Sequence, residues 1–426
     1  MGLYVISFFG ATNSGKSSLV NAIAGQEVSL VSPTPGTTTD PVRKRIELPG
    51  LGPCVLIDTA GLEDSSLLGP ERARLTRRIL DETDIAVVLT AADGPEVRVP
   101  VQGMDPCEQK GGQTALTGPM NGPLQALYDM PMVRVMTKAD LSGTVPPGML
   151  PVSALTGEGI PELLQRLSEV APKEQEGFLT GDLVKPGDSV LLVMPQDSEA
   201  PKGRLILPQV QVLRELLDRG CVPHCCTPET LKTALESLGK RPDLVITDSQ
   251  VFALVERTIP SDCPLTSFSI LLAAAKGDIR TFVEGAKAID TLKPGDRVLI
   301  AEACTHVPDT EDIGRVKIPA LLRAKLLHTP ESDKSFSTFF REKNFSSAEV
   351  EEVLRIDIAA GNDFPEDLSP YALIVHCGGC VVNARLIRNR TRKALLAGVP
   401  ITNYGIAIAK LQGILERVEI PSLRSE

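Results

Sequence analysis

Two sets of residues in this chain have types and spacings that can do chemistry. Residues Gly10, Ala11, Thr12, Asn13, Ser14, Gly15, Lys16 and Ser17 spell G-x-x-x-x-G-K-S, directly after the apolar run VISFF and before the helical pattern SSLVNAIAG. Glycines at that spacing let main-chain N–H groups turn inward around phosphates, and the following helix brings its positive end to the same point. Lys16 can reach the β- and γ-phosphates, and Ser17, next to Ser18, can ligate Mg2+. The second set is Cys304-Thr305-His306, after the apolar run RVLIAEA, and His376-Cys377-Gly378-Gly379-Cys380, after YALIV. Both parts sit at expected strand ends, where loops present ligands. A C-x-x-C lets two sulfurs bind one centre through a tight turn, and the two glycines permit that turn. Three thiolates with histidine suit tetrahedral Zn2+ or a 4Fe–4S cluster with a different fourth ligand, and a bare C-x-x-C also suits a redox pair.

The phosphate loop has companions in the right order. Gly36-Thr37-Thr38-Thr39-Asp40 lies in a turn-rich segment suited to a loop that senses a γ-phosphate. Asp58-Thr59-Ala60-Gly61 ends the strand pattern VLID; its carboxylate can hold Mg2+ through water, and Gly61 can offer its N–H to the γ-phosphate. Thr137-Lys138-Ala139-Asp140 ends VRVM, and Asp140 can accept two hydrogen bonds from the guanine edge, which selects GTP over ATP. Ser153-Ala154-Leu155 follows and can support the base. Lys16, Thr38 and Gly61 are the groups expected at the reacting phosphate.

Short apolar runs alternate with helical patterns from residue 1 to about 172, so an α/β unit with a doubly wound, mostly parallel sheet is expected there. A second, small α/β unit is expected over 183–263 and a third α/β unit over 264–426. Residues 94–126 and 328–352 carry little periodicity and read as insertions, with His328 facing solvent. With 426 residues, 42% hydrophobic and 23% charged, the chain has the make-up of several globular cores. A net charge of −10 argues against a chain built to hold nucleic acid, since phosphate neutralisation needs clustered Lys and Arg. No run of 18 apolar residues suggests a membrane span. The opening MGLYVISFFG reads as a first strand rather than a signal peptide. Nine cysteines with no secretion signal point to a reducing compartment, a cytoplasm or an organelle matrix, and to metal binding over disulfides. His224 with Cys225 and Cys226 reads as packing or surface thiols, and the basic run 385–393 as one face of a helix beside the C-x-x-C.

Residues 1–172 resemble the TrmE–Era–EngA class of GTPases. The resemblance implies Mg2+ at Ser17 and Thr38, and a monovalent cation, K+, at Asn13 in place of an arginine finger. Leu62 stands where Ras-like proteins carry a water-positioning Gln, and Thr137 replaces the usual Asn of the guanine motif. Beyond residue 183, PKGRLILPQVQ, PDLVITDSQVF, LTSFSIL, KGD, GDRVLIAEACTH, DIGRVKIP, HCGGC and ITNYGIAIA resemble the HydF family of iron-only (FeFe) hydrogenase maturation GTPases. That family implies a dimerisation domain in the middle region and a homodimer or larger assembly. It implies a 4Fe–4S cluster on Cys304, Cys377 and Cys380, with His306, His376 or a carboxylate at a variable fourth position. It also implies a di-iron precursor as cargo, two radical-SAM maturases that supply it and an apo-hydrogenase that receives it. An RNA- or ribosome-associated GTPase with a zinc-stabilised C-terminal domain is the alternative that the first region alone leaves open.

Overall fold

The computed structural model describes residues 3–25, 42–59, 69–93, 130–141, 144–172, 178–196, 203, 205–303, 312–326, 353–361 and 363–421. The expectations for Thr38, Gly61, Leu62, Cys304, His306, His328 and the segments 94–126 and 328–352 fall outside these residues. The chain forms two compact units, 1–175 and 176–426.

The first unit holds one sheet of six strands: β1 (Tyr4–Gly10), β2 (Val42–Leu48), β3 (Gly52–Asp58), β4 (Ile85–Ala91), β5 (Met132–Thr137) and β6 (Leu150–Val152). Their order is β2-β3-β1-β4-β5-β6. All pairs are parallel except β2 with β3. Strand alternation divides β1 between two cores: Ile6 and Phe8 pack on one face with Leu19, Val87 and Leu163, while Val5 and Phe9 pack on the other with Ile57, Leu80 and Val88. Buried on both faces, these strands must read as continuous apolar runs. The edge strand β2, VRKRIEL, alternates half-buried and exposed residues and so keeps its charges in water.

The second unit holds two parallel sheets of four strands each. One has the order β10-β9-β7-β8, from β7 (Ser189–Val193), β8 (Val222–Cys226), β9 (Leu244–Thr247) and β10 (Leu265–Ser267). The other has the order β12-β11-β13-β14, from β11 (Arg297–Ala301), β12 (Arg355–Ala359), β13 (Leu373–His376) and β14 (Ile401–Asn403). The strand β10, at the start of the region expected from 264, completes the first of these sheets. The stretch LTSFSILLAAAK forms the three-residue strand β10 followed by the helix Phe268–Lys276. The strand β8, VPHCC, carries no apolar alternation and was not expected as a strand; its Cys226 packs against the shared core and Cys225 is exposed.

One core runs from Leu191 and Val245 in the first of these sheets to Val298, Ile300 and Ile374 in the second. The helices Phe268–Lys276 and Tyr404–Leu411 are buried nearly all round, which explains why FSILLAAAK and YGIAIAKL lack a polar face. Ser267 and Asn403 cap them, accepting N–H bonds from Ile270 and from Gly405 and Ile406 respectively. Among the described residues, no helix is long and apolar enough to cross a membrane.

All three sheets share one order. The first strand (β1, β7 or β11) has the next parallel strand of the chain on one side (β3, β8 or β12) and the one after on the other (β4, β9 or β13). Chain connections therefore diverge at the carboxyl end of the first strand, where sheets of this kind open a binding crevice.

Candidate functional site

The phosphate loop leaves β1 at such a point. A Cβ on Gly10 would strike Ser14 Oγ and approach the Leu89 carbonyl at 2.9 Å, so only glycine fits there. Asn13 and Gly15 both take left-handed backbone angles, φ 63° and 83°, and asparagine and glycine are the residues that tolerate them. Successive N–H groups are thereby turned into a concave, anion-binding array. The helix Lys16–Ala24 starts with no side-chain cap and no acidic residue in its first turn, so its dipole is left for an anion.

Lys16 is buried, and its Nζ donates to the carbonyls of Gly10 at 3.0 Å and Ala11 at 2.8 Å. Burial lowers its pKa to about 8, partly offset by the nearby Asp58 carboxylate. Ser17 Oγ donates to Asp58 Oδ2 at 2.6 Å, so the two groups expected around Mg2+ are paired. Thr137 Oγ1 donates to the Ser14 carbonyl at 2.6 Å, which makes Thr137 a buttress of the phosphate loop. Lys138 pairs with Asp93 at 3.0 Å, and Ser153 Oγ donates to Asp140 Oδ1 at 2.7 Å, aiming that carboxylate. The register Thr137↔Val152 sets the Thr137–Asp140 and Ser153–Ala154 segments side by side. Of the sequence-based site residues, Gly10, Asp58 and Thr137 end the strands β1, β3 and β5, and Asn13, Ser14, Gly15, Lys16, Ser17, Ser18, Lys138, Asp140, Ser153 and Ala154 lie in the loops and helix starts that follow β1, β5 and β6.

The described part of the second set, His376–Cys380, begins at the crevice between β11 and β13, where Ala301 faces His376. The ladder continues one residue further, Cys377 N–H donating to the Ala301 carbonyl at 2.9 Å. Ala303 N–H donates to Cys377 Sγ at 3.1 Å. Gly379 turns the chain with φ 63°, and a Cβ there would collide with Ile387. Lys276, at the end of its helix, donates from Nζ to three carbonyls of the same turn: Gly379 at 2.7 Å, Cys380 at 3.2 Å and Val382 at 2.9 Å.

His376 is fully buried. Its Nδ1 lies 2.7 Å from the Cys377 carbonyl and its Nε2 3.2 Å from Arg390 Nη1. Burial first, and the Arg390 charge second, push its pKa down to about 3, against a smaller upward pull from the Cys377 carbonyl. Arg390 is buried too. It donates to the carbonyls of Glu302 at 3.2 Å and Gly361, and stacks over the Phe364 ring at 4.9 Å. The buried Glu302 accepts from Arg315 at 2.9 and 3.3 Å. Cys304 and His306 follow Ala303 in sequence and lie outside the described residues. Among the described residues, no group of three or more His, Cys, Asp and Glu stands ready to hold a metal ion.

The sequence reading gave no individual role to Lys276, in the KGD segment, or to Arg390, in the basic run 385–393. In the helix Ala384–Leu396 the buried positions are Leu386, Ile387, Arg390, Thr391 and Ala394, so Arg390 lies on the apolar stripe. That position was the available signal; the charge run 385–393 masked it.

The first unit has the fold and loop set of a P-loop GTPase domain. Residues 5–112 match the family model described as 50S ribosome-binding GTPase. The tRNA modification GTPase MnmE of Acidiphilium cryptum is 39% identical over 163 residues, 38% of this chain and 31% of that protein. MnmE of Thermus thermophilus is 36% identical over 169 residues, 38% of this chain and 32% of that protein. The chain therefore spans about a third of the length of these curated relatives. An Aquifex aeolicus Era variant bound to GDP·AlF4− aligns over 61% of this chain and 99% of its own, at 18% identity and a TM-score of 0.32. Residues 179–277 match the hydrogen maturase F dimerization domain, and residues 280–350 and 343–421 the hydrogen maturase F tetramerization domain. Together with the GTPase domain before them, these matches make the chain a member of the hydrogen maturase F (HydF) family.

Proposed function

We propose that this protein is a GTP-hydrolysing scaffold in the maturation of iron-only (FeFe) hydrogenases. On this reading it holds a 4Fe–4S cluster and passes a di-iron precursor, its cargo, from two radical-SAM maturases to the apo-hydrogenase. One observation carries the reading: the Ala303 N–H on Cys377 Sγ, which draws the segment running into Cys304 against the Cys377–Cys380 turn across 74 residues of sequence.

The donor set fits such a cluster. Sulfur ligands at a C-x-x-C turn suit iron–sulfur chemistry. The Cys377 sulfur receives an N–H of the kind that cluster sulfurs accept, and the Lys276 ammonium holds the turn that carries Cys380. Cys304, Cys377 and Cys380 would hold the cluster, which when bound supplies an iron site and electron-transfer capacity. The chain itself fixes the turn through Gly379 and Lys276.

At the other site, Lys16 and the turned N–H groups would receive phosphates. Ser17, now bonded to Asp58, would hold Mg2+, and Asp140, aimed by Ser153, would read guanine. Asn13 is our candidate for binding K+, and Thr38 and Gly61 for sensing the γ-phosphate and switching the loops that carry them.

Self-association, as a dimer or larger, is supported by the two matched domain types. It is also supported by the outer edge of β8, where Val222 and Cys225 are exposed beside Leu207, Val210 and Leu217 of the helix Leu207–Asp218. We assign the protein to the cytoplasm or another reducing compartment.

The test is anaerobic reconstitution of the full chain with iron and sulfide, read by visible absorbance and EPR. A broad charge-transfer band and a reduced-cluster signal are expected. A colourless protein that retains only zinc would reject the reading in favour of an RNA- or ribosome-associated GTPase.

A further inference from the structure

We propose that His376 is not a ligand of the cluster but a positioning residue, its one available lone pair taken by Arg390, and that the two side chains together lock the end of β11 to the Cys377–Cys380 turn. The inference rests on the reading that a cluster sits on that turn. It departs from the family resemblance, which makes His376 a candidate for the fourth position.

The argument is one of donors and acceptors. A guanidinium has five N–H donors, no acceptor, and does not lose its proton in a protein. Across the 3.2 Å between Arg390 Nη1 and His376 Nε2, therefore, the arginine donates and the imidazole nitrogen accepts. A metal would need that same lone pair. With Nε2 accepting, Nδ1 carries the ring proton, and at 2.7 Å it donates to the Cys377 carbonyl. Both nitrogens of a neutral ring are then in use, each on a partner inside the fold.

Freeing Nε2 would mean moving Arg390, which is tied on other sides as well. Its Nη1 also holds the Glu302 carbonyl, its Nη2 holds the Gly361 carbonyl, and its plane lies on Phe364. Glu302 is in turn paired with Arg315. The chain Arg315–Glu302–Arg390–His376–Cys377 thus runs from the segment after β11 to the first cysteine of the turn. Removing a second-layer partner of this sort typically costs about 10–100-fold in metal affinity. The fourth corner of the cluster is filled from somewhere other than β13.

The chain has four histidines, which makes selective labelling decisive. The full-length protein, labelled with 15N only at histidine, is first studied without metal by multiple-bond 1H–15N correlation. The His376 pattern, assigned by its loss in His376→Gln, is expected to be that of the Nδ1–H tautomer. An Nε2–H tautomer at His376 would overturn the proposal, and this result does not depend on any cluster forming.

The protein is then reconstituted anaerobically, reduced, and read by pulsed EPR. His376→Gln keeps an oxygen for Arg390 to hold and is expected to retain wild-type iron content, g values and nitrogen couplings. A strong histidine nitrogen coupling that vanishes in His376→Gln would overturn the proposal. Arg390→Met is expected to lower cluster retention against a chelator about 10–100-fold and to release the tautomer preference, with Arg390→Lys recovering part of both. Unchanged tautomer and retention in Arg390→Met would overturn it as well. A wild-type chain that forms no cluster would instead sink the underlying reading while the tautomer measurement still stands.

Discussion

In the 1–175 unit the phosphate loop leaves β1, and in the 176–426 unit the cysteine turn stands beside β11; each is at the carboxyl end of the strand where its sheet changes direction. The two sites occupy the same topological position and are assembled in opposite ways. The phosphate loop is one contiguous stretch, Gly10–Ser17, and the groups we propose for phosphate are backbone N–H groups turned by left-handed angles at Asn13 and Gly15. The cysteine site joins Ala303 to Cys377 across 74 residues, and side chains from further elements, Lys276 and Arg390, keep its turn in shape. Main-chain recognition tolerates changes in supporting residues; a site gathered from distant side chains depends on each of its struts.

The largest expected effects test whether the two sites are separate devices. Lys16→Ala removes the buried ammonium from the phosphate loop. That should weaken GTP binding by about 3 kcal/mol, roughly a hundredfold, in a nucleotide titration. Iron content after anaerobic reconstitution should not change. Cys377→Ala should bring iron content down to background and leave the rate of GTP hydrolysis at wild type. If either variant, folded by circular dichroism, loses both properties, the division between the units is wrong.

A smaller effect probes the struts. Lys276 makes charge-assisted bonds to three carbonyls of the turn, and such bonds are individually worth about 1.5–3 kcal/mol. Part of that is recovered from water once the turn relaxes. Lys276→Met should therefore lower cluster retention against a chelator by about tenfold without altering nucleotide affinity. Lys276→Arg, which can still donate, should restore some of it. Equal retention in Lys276→Met and wild type would mean the cysteine turn holds itself, as the phosphate loop does.

How much could be read in advance follows from the same contrast. The candidate nucleotide site was legible because its groups are local and ordered along the chain: Gly10–Ser17, Asp58, Thr137–Asp140 and Ser153. Even the departure at Thr137 has a plain use, since its hydroxyl still reaches the Ser14 carbonyl. The alternating strands and helices of the first unit announced its sheet, and the apolar runs before Ala303 and His376 announced β11 and β13. The strand β8 did not announce itself, because VPHCC has neither alternation nor a continuous apolar run. Arg390 was hidden in a basic run that reads as solvated, although its spacing from Leu386, Ile387 and Ala394 puts it on the buried stripe. The roles of Lys276 and His376 exist only once elements far apart in sequence have packed together.

The smallest expected effect sharpens the comparison from the nucleotide side. Lys16 has its pKa lowered to about 8, chiefly by burial, and the phosphates need its charged form. At pH 7 the free protein carries that charge almost fully; at pH 8.5 most molecules have lost it. GTP affinity should therefore fall about fourfold between these pH values, by proton linkage at one group. Both lie below the range where guanine itself ionises. The same group acts on stability with the opposite sign. Below pH 8 the folded and unfolded chains both hold the proton, and the fold bears the full cost of a buried ammonium. From pH 8 toward the ordinary value of 10.5 the unfolded chain binds more protons than the folded one, so this contribution to stability rises with pH. Nucleotide affinity and this lysine's share of nucleotide-free stability, read as the difference between wild type and Lys16→Ala, should thus move in opposite directions from pH 8 upward. The thiols of Cys54 and Cys226, raised to about 11 by burial, add to stability a slope of the opposite sign to the lysine's, common to both chains. If affinity in wild type stays flat from pH 7 to 8.5, the lysine is not the group that the buried loop has tuned. The main-chain N–H array would then hold the phosphates largely without it.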